Sequence, residues 1–399
     1  MQNIIQKKNY LFIGPTDIKE CKYVRKSEKY ISNEAYKDYK KKFISKNSIM
    51  IDCIGSDMGN VAISVTDVLT NQQINSITNI DEKKFNVEYI YYILSTMKKY
   101  FHQIGTNGST MPIINKTMFE DIIIDIPDKE TQDKITSILS KLDQKIELNN
   151  QINNNLQEFI NNLYIKYFIN FDEYCGEYKE SDLGMIPESF EVDTLGEVIT
   201  FSNGYGWNSK DMLDSSVENS YKVFKMGNIN IGGGINKSKT KSWIKKDKAN
   251  NLEQYISKKG DILMCMTDMK NSGNPLLGHT ALIDKDDEFV INQRVGIIKC
   301  NKKLGYSYIY TMSNLKHFIN DIRSRANSGV QVNLTTKGIC DTLVLVPDDI
   351  TLNKFQKTVK PLYEKIFNNN NENEILEQLR DILLPKLMNG EIDLNKIDI

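Results

Sequence analysis

The chain repeats itself. Ile126-Pro127-Asp128 returns as Val346-Pro347-Asp348, and the same shift of 220 residues lays one amphipathic pattern on another. Ile135, Leu142, Asn149, Leu156 and Leu163 fall on Phe355, Leu362, Asn369, Leu376 and Leu383. The companion positions Leu139, Ile146, Asn153 and Ile160 fall on Val359, Ile366, Asn373 and Arg380. A repeat this long is no solenoid period; it implies two globular copies, each followed by a helix. With 399 residues, each copy can hold a core of its own. Two similar halves suit a target of approximate two-fold symmetry, and duplex DNA is such a target.

The bodies match in detail. Tyr10–Ile18 is similar to Tyr221–Ile229, Phe43–Ile49 to Tyr255–Ile262, and Asn71-Gln72-Gln73 to Asn292-Gln293-Arg294. Each copy is expected to close on a short β-branched strand before its Pro-Asp: Asp121–Ile126 in the first and Leu343–Val346 in the second. Strands mixed with a few helices indicate an α+β body. The second copy has 34 residues from Pro187 up to Tyr221, whereas nine precede Tyr10. The opening segment of the first copy is therefore expected to be short or absent, with weaker or absent reading of its half of any target.

In the first helix the apolar steps alternate between four and three from Ile135 to Tyr167, the signature of a coiled-coil seam about 48 Å long. The second seam runs from Phe355 to Leu387 but contains Pro361, which either kinks the helix or marks its start. Asn368–Asn371, a run of weak helix formers, is a second candidate break. Both seams are polar at their centres. If the helices pair antiparallel, Asn149 and Asn153 meet Asn369 and Asn373 and can form an amide layer that fixes register; a local helix break is the plainer alternative.

Catalytic motifs fail on inspection. Gly273–Thr280 nearly matches a phosphate-binding loop, but His279 stands where lysine is needed and Pro275 lacks an N–H. Gly204-Tyr205-Gly206-Trp207 lacks the third glycine of a dinucleotide turn. No Asp/Asn-Pro-Pro-Tyr tetrapeptide of an amino-methyltransferase is present. Asp128, Asp143 and Lys145 loosely resemble a nuclease set, yet the latter two fall on the coiled-coil helix and read as solvated surface. Three histidines without partner spacing make zinc improbable, and six scattered cysteines suit a reduced, cytoplasmic protein. No secretory signal or membrane-length apolar run is found.

Binding features survive better. The net charge is −1, but residues 221–260 carry ten lysines against Asp247 and Glu253. Residues 19–46 hold a second basic stretch that includes Lys40, Lys41 and Lys42. Lys237, Lys239 and Lys241 alternate, so on an extended segment they form a comb facing phosphates, or else a protected edge strand. Arg323, Arg325 and Gln331, on an apparently loop-like segment, and Arg294 offer bidentate donors to base edges. Thr106–Thr110 is the counterpart in the first copy; its Asn107 and Ser109 come without arginine, so the copies should read different sequences. Asn292-Gln293-Arg294 has apolar flanks and can equally be a structural amide. Tyr205 and Trp207 read as core packing or base stacking, with core preferred.

The order of body, helix with Asp143–Asn150, Leu163–Phe168, the phrase Leu183–Gly196 (LGMIPESFEVDTLG), second body, and closing Leu383–Ile392 (LLPKLMNGEI) resembles the specificity subunit of a type I restriction–modification system. The resemblance covers nearly the whole chain. It implies a first target recognition domain over 1–128, a central helix over 129–171 and a linker over 172–186. A second recognition domain over 187–348, a C-terminal helix over 349–390 and a tail over 391–399 follow. It further implies a non-catalytic subunit that reads a split, asymmetric DNA site, with the helices as an antiparallel ruler docking two methyltransferase subunits. Those partners would use S-adenosylmethionine, restriction subunits would use ATP and Mg, and this chain would bind no cofactor. An assembly scaffold or recombination donor with a defective first domain is the alternative. The missing opening segment is the one departure from the family pattern.

Overall fold

A computed structural model describes residues 10–19, 21–106, 112–269, 275–301, 304–327 and 331–396. It divides into two compact units, Met1–Asn149 with Asn371–Ile399, and Asn150–Asn370. Each unit therefore contains one body and about half of each long helix.

In the first unit, a three-stranded sheet places Tyr10–Ile13 between Lys29–Ile31 and Leu69–Thr70. A four-stranded sheet runs Tyr23–Val24, Val61–Ser64, Ile49–Asp52, Ile74–Ile77. Ile49–Asp52 and Val61–Ser64 are buried along their whole length, as strands covered on both faces must be. Helices Val87–Thr96, Lys98–Gly105 and Lys116–Glu120 pack alongside. Their starts are legible: Asn86 accepts from the amides of Glu88 and Tyr89, and Asn115 from that of Met118.

The second unit repeats this plan. Ser220–Phe224 lies between Trp243–Lys245 and Phe289–Ile291. A four-stranded sheet runs Ile199–Asn203, Val295–Cys300, Ile262–Cys265, Thr280–Leu282. Helices Gly305–Ser313, Lys316–Ser324 and Thr336–Cys340 follow in the same order. Two strand pairs are additional: Glu191–Thr194 with Leu343–Val346, and Thr267–Met269 with Gln331–Asn333. The expected polar linker instead contains a hairpin, Tyr178–Ser181 with Gly184–Pro187.

The expected strand Asp121–Ile126 is not one: none of these residues pairs, and Ile123 is 89% exposed. A strand is defined by its neighbour. Its counterpart Leu343–Val346 pairs with Glu191–Thr194, whereas no described residue of the first unit offers such a partner.

Both long helices form, Lys129–Phe168 and Asp349–Met388, each of 40 residues. The Pro-Asp motif is their shared starting device. The Thr131 amide donates to Asp128 Oδ1 at 2.9 Å, and the Thr351 amide to Asp348 Oδ1 at 2.8 Å. Neither Pro361 nor Asn368–Asn371 breaks the second helix. Pro361 is exposed, and two of the amides that disfavour a free helix, Asn369 and Asn370, are hydrogen-bonded to Asn153 of the other helix.

Each unit shows antiparallel pairing in its own half of the helices. In the first, Asn149 Nδ2 donates to Asn373 Oδ1 at 2.9 Å and to Glu372 Oε2 at 2.8 Å. In the second, Asn153 Nδ2 donates to Asn370 Oδ1 at 2.9 Å, and Asn369 Nδ2 donates to Asn153 Oδ1 at 2.8 Å. The first body packs Tyr89 and Tyr92 against Ile135, Leu139 and Leu387. The second packs Tyr308 against Tyr164, Phe168 and Phe355.

Candidate nucleic-acid interface

In the second body, Gly204 and Tyr205 leave the strand Ile199–Asn203 and lie against the turn Asn292-Gln293-Arg294. The Gly204 amide donates to the Val295 carbonyl, the Tyr205 amide to the Ile291 carbonyl, both at 2.9 Å, and Tyr205 bridges Asn292. Asn292 shapes the turn itself, its Oδ1 accepting from the Arg294 amide at 3.3 Å. The three positions of this turn thus divide: Asn292 is the structural amide, whereas Gln293 and Arg294 point to solvent. Trp207 is core, its Nε1 donating to the Ile291 carbonyl at 2.9 Å. Tyr205 is not core: it is 38% exposed and rests edge-on against Trp207. An aromatic face, an amide and a guanidinium therefore share one solvent-facing turn. Sequence reasoning named these residues separately and missed their meeting, because the bridge joining them spans almost ninety positions; the glycines around Tyr205 were the only local hint.

The matching turn of the first body keeps the scaffold and changes the reader. The Gln73 amide donates to Asn71 Oδ1 at 2.9 Å, as Arg294 does to Asn292, but Gln73 stands in place of the arginine.

Other candidates fare differently. The lysine comb does not exist as expected: Lys237–Lys239 is a turn of 3-10 helix, and alternation puts side chains on one face only in extended backbone. Lys237 is engaged with Glu288 at 2.9 Å and Asp284 at 3.4 Å, while Lys239 and Lys241 are exposed. Arg323 lies on helix Lys316–Ser324 rather than a loop, donating to the carbonyls of Leu277 and Pro275 at 2.9 and 2.7 Å. Arg325 holds Asp321 and the Asp341 carbonyl. Both guanidiniums brace the body. Gln331 contributes backbone to the ribbon opposite Met269. Lys40, Lys41 and Lys42 form an exposed 3-10 turn. Asn107 and Ser109 lie outside the described residues.

Gly273 and Asn274 of the near-match to a phosphate loop lie outside the described residues, and its His279 is structural. His279 is buried, its Nδ1 accepting from the Gly232 amide at 3.2 Å, and burial holds its imidazole below the ordinary value. Of the loose nuclease set, Asp128 caps the first long helix, Lys145 pairs with Glu372 at 3.0 Å, and Asp143 belongs to an ion network in the first unit rather than to solvated surface. Asp143 accepts from Lys22 at 3.2 Å, from Arg380 at 3.1 Å and from the Tyr92 hydroxyl. Among the described residues, no cluster of His, Cys, Asp and Glu suits a metal ion, and no helix is long and apolar enough to cross a membrane.

Comparison with known proteins agrees with this architecture. Residues 2–158 match the family described as type I restriction modification DNA specificity domain. The type I restriction enzyme MjaIX specificity subunit of Methanocaldococcus jannaschii is 26% identical, over 97% of this chain and 87% of that protein. The HindI specificity subunit of Haemophilus influenzae is 24% identical, over 96% and 94% of the two chains. The crystal structure of a type I S subunit from M. genitalium shares the fold with a TM-score of 0.50 at 17% identity, covering 96% of this chain and 92% of that one. With its duplicated bodies and long helices, the chain is similar over nearly its whole length to specificity subunits of type I restriction enzymes.

Proposed function

We propose that this chain supplies sequence recognition to a type I complex through turns on its two bodies, reading a bipartite, asymmetric site in double-stranded DNA. The observation that carries the reading is the solvent-facing group of Tyr205, Gln293 and Arg294 on one bridged turn. Arginine pairs with guanine and glutamine with adenine in the major groove, while an aromatic face offers contact to bases or sugars. Lys239 and Lys241 in one body, and Lys40, Lys41 and Lys42 in the other, would take phosphates. Because Gln73 replaces Arg294 at the matching turn, the two bodies would prefer different bases.

The long helices would set the spacer and dock two methyltransferase subunits, with restriction subunits joining that assembly. Ile375, Leu379 and Ile382 support a docking role: they are exposed and share one helical stripe in the first unit. In this reading the chain carries no chemical step and works in the cytoplasm; S-adenosylmethionine, ATP and Mg belong to its partners.

The test is co-expression with a partner methyltransferase and genome-wide mapping of modified adenines. Arg294→Ala should relax one position in one half of the motif, losing about 1–3 kcal/mol of discrimination there, and leave the other half intact. An unchanged motif would remove Arg294 as a reader. A second reading, an assembly scaffold whose first body reads nothing, draws support from the unpaired Ile122–Ile126. It expects a motif specified in one half only.

A further inference from the structure

At one sheet end the two bodies repeat the same hydrogen bonds and differ in charge. In the second body the strand Ser220–Phe224 runs into Lys225, whose amide donates to Asn228 Oδ1 at 2.8 Å. On one side the Asn292 amide donates to the Phe224 carbonyl at 3.0 Å, and the Arg294 amide closes on Asn292 Oδ1. On the other, Lys222 pairs with Trp243 and the Val223 amide donates to the Ser242 carbonyl, which brings Lys241 beside Phe224. The first body takes the same steps. The Gly14 amide donates to Asp17 Oδ2 at 2.8 Å, the Asn71 amide to the Ile13 carbonyl at 2.9 Å, and the Gln73 amide to Asn71 Oδ1. Its pairing of Phe12 with Lys29 brings Glu28 beside Ile13.

Lys225, Asn228, Lys241 and Arg294 therefore stand where the first body has Gly14, Asp17, Glu28 and Gln73. Three cations occupy a scaffold that carries two carboxylates in the other body. The fold does not require the cations, because the first body closes the same turns without them. The second body does not neutralise them either. Elsewhere in its basic stretch Lys222 and Lys237 pair with Glu288, Lys248 with Asp211, Lys258 with Asp287 and Lys259 with Glu364. Lys225 is half-buried and donates instead to the neutral Ser242 hydroxyl at 2.8 Å, while Lys241 and Arg294 are exposed. An ammonium carries three donors, and a phosphate oxygen supplies both an acceptor and the opposite charge.

On the basis of the DNA reading above, we propose that Lys225, with Lys241 beside it, grips phosphates of the duplex whose bases the Arg294 turn reads. Neighbouring strands lie about 5 Å apart. The row thus crosses the sheet end from Lys241 through Lys225 to the turn at Asn292–Arg294, with Tyr205 bridged on beyond. Ser242 holds the Lys225 ammonium in place, so the reading turn and the backbone anchor share one rigid sheet. The grip carries no sequence information itself; it fixes where the reader sits. With Gly14 and Glu28 at the matching positions, the first body lacks this grip.

The experiment measures binding of a labelled, mixed-sequence duplex to the full chain as salt is raised about four-fold. Each phosphate contact adds about 0.9 to the slope of log affinity against log salt. Lys225→Met should remove that much, so the wild type loses about three-fold more affinity over the range than the variant. Lys241→Met should act alike. Lys245→Met removes the same charge from the opposite end of the strand pair and should leave the slope unchanged. An unmoved slope in Lys225→Met, equal losses at Lys225 and Lys245, or no duplex binding by the unaltered chain overturns the proposal. Mapping of modified adenines separates grip from reader, because Lys225→Met should thin modification at all sites and keep the motif. A motif relaxed by Arg294→Ala with slopes unmoved at Lys225 and Lys241 sinks the grip and spares the reader; the reverse pair does the opposite. If Lys225→Met fails to fold, the contrast of Lys241→Met with Lys245→Met, both exposed, still decides it.

Discussion

The Asp143 carboxylate takes Lys22, Tyr92 and Arg380 at once, and its side chain is 17% exposed while that of Lys22 is 10% exposed. Burial, and next the Asp143 charge, push the Tyr92 hydroxyl well above its ordinary range, so it stays a neutral donor. Removing the carboxylate leaves two cations without it in a poorly solvated place. Asp143→Ala should therefore cost the first unit about 2–4 kcal/mol, read as a lower thermal midpoint in calorimetry, while Asp133→Ala at an exposed site should cost little. A second carboxylate gives a pH signature. Glu173 accepts from Lys166 at 2.6 Å and Lys354 at 2.8 Å, one on each long helix. These hydrogen bonds hold its pKa down to about 2, against 4.5 when unperturbed. The depressed value means its contribution is full above the unfolded pKa and is lost as pH falls through the folded one. The midpoint difference between the wild type and Glu173→Gln should thus narrow from about pH 5 down to about pH 2, and a pH-independent difference would refute the clamp.

At the scale of elements, we propose that the Asn149–Asn373 and Asn153–Asn369 pairs trade stability for register. Asn369 Oδ1 is buried without a partner, a cost that leucine would not bear. Replacing all four asparagines by leucine should raise the unfolding midpoint and let the helices slip. Cysteine pairs placed at 145 and 372 should cross-link in one register in the wild type and in several in the leucine variant; a single register in both would deny the amides that role. These helices were legible because a seam with its polar interruptions is a local pattern with a fixed period. What sequence misread was non-local. Ile122–Ile126 has the composition of a strand but no partner strand among the described residues, Lys237–Lys241 alternates on a backbone that turns, and Pro361 lies inside the second helix rather than at its start. The site divided in the same way. Lys40, Lys41, Lys42 and Arg294 were legible as exposed cations, whereas Tyr205 joins Arg294 only through a bridge between distant strands, and Arg323 and Arg325 turned inward to carbonyls that composition does not reveal.

For the whole molecule, the two units differ in how the chain supplies them. The second is one continuous stretch, residues 150–370, whereas the first needs residues 1–149 together with 371–399. In the second, Tyr164, Phe168 and Phe355 meet within a single fragment, so the core of that fragment is complete. In the first, Ile135 and Leu139 depend on Leu387 and its neighbours, Asp143 on Arg380, and Asn149 on Asn373. Each apolar side chain uncovered costs about 1.5–3 kcal/mol, and a domain has only about 5–15 kcal/mol in total. A fragment of residues 150–370 should consequently unfold in one cooperative transition on its own, while residues 1–149 should not. Adding a peptide of residues 371–399 should restore a cooperative transition to the latter, with a midpoint that rises with peptide concentration. Cooperative unfolding of residues 1–149 alone, unmoved by that peptide, would show that the body stands without the returning helix.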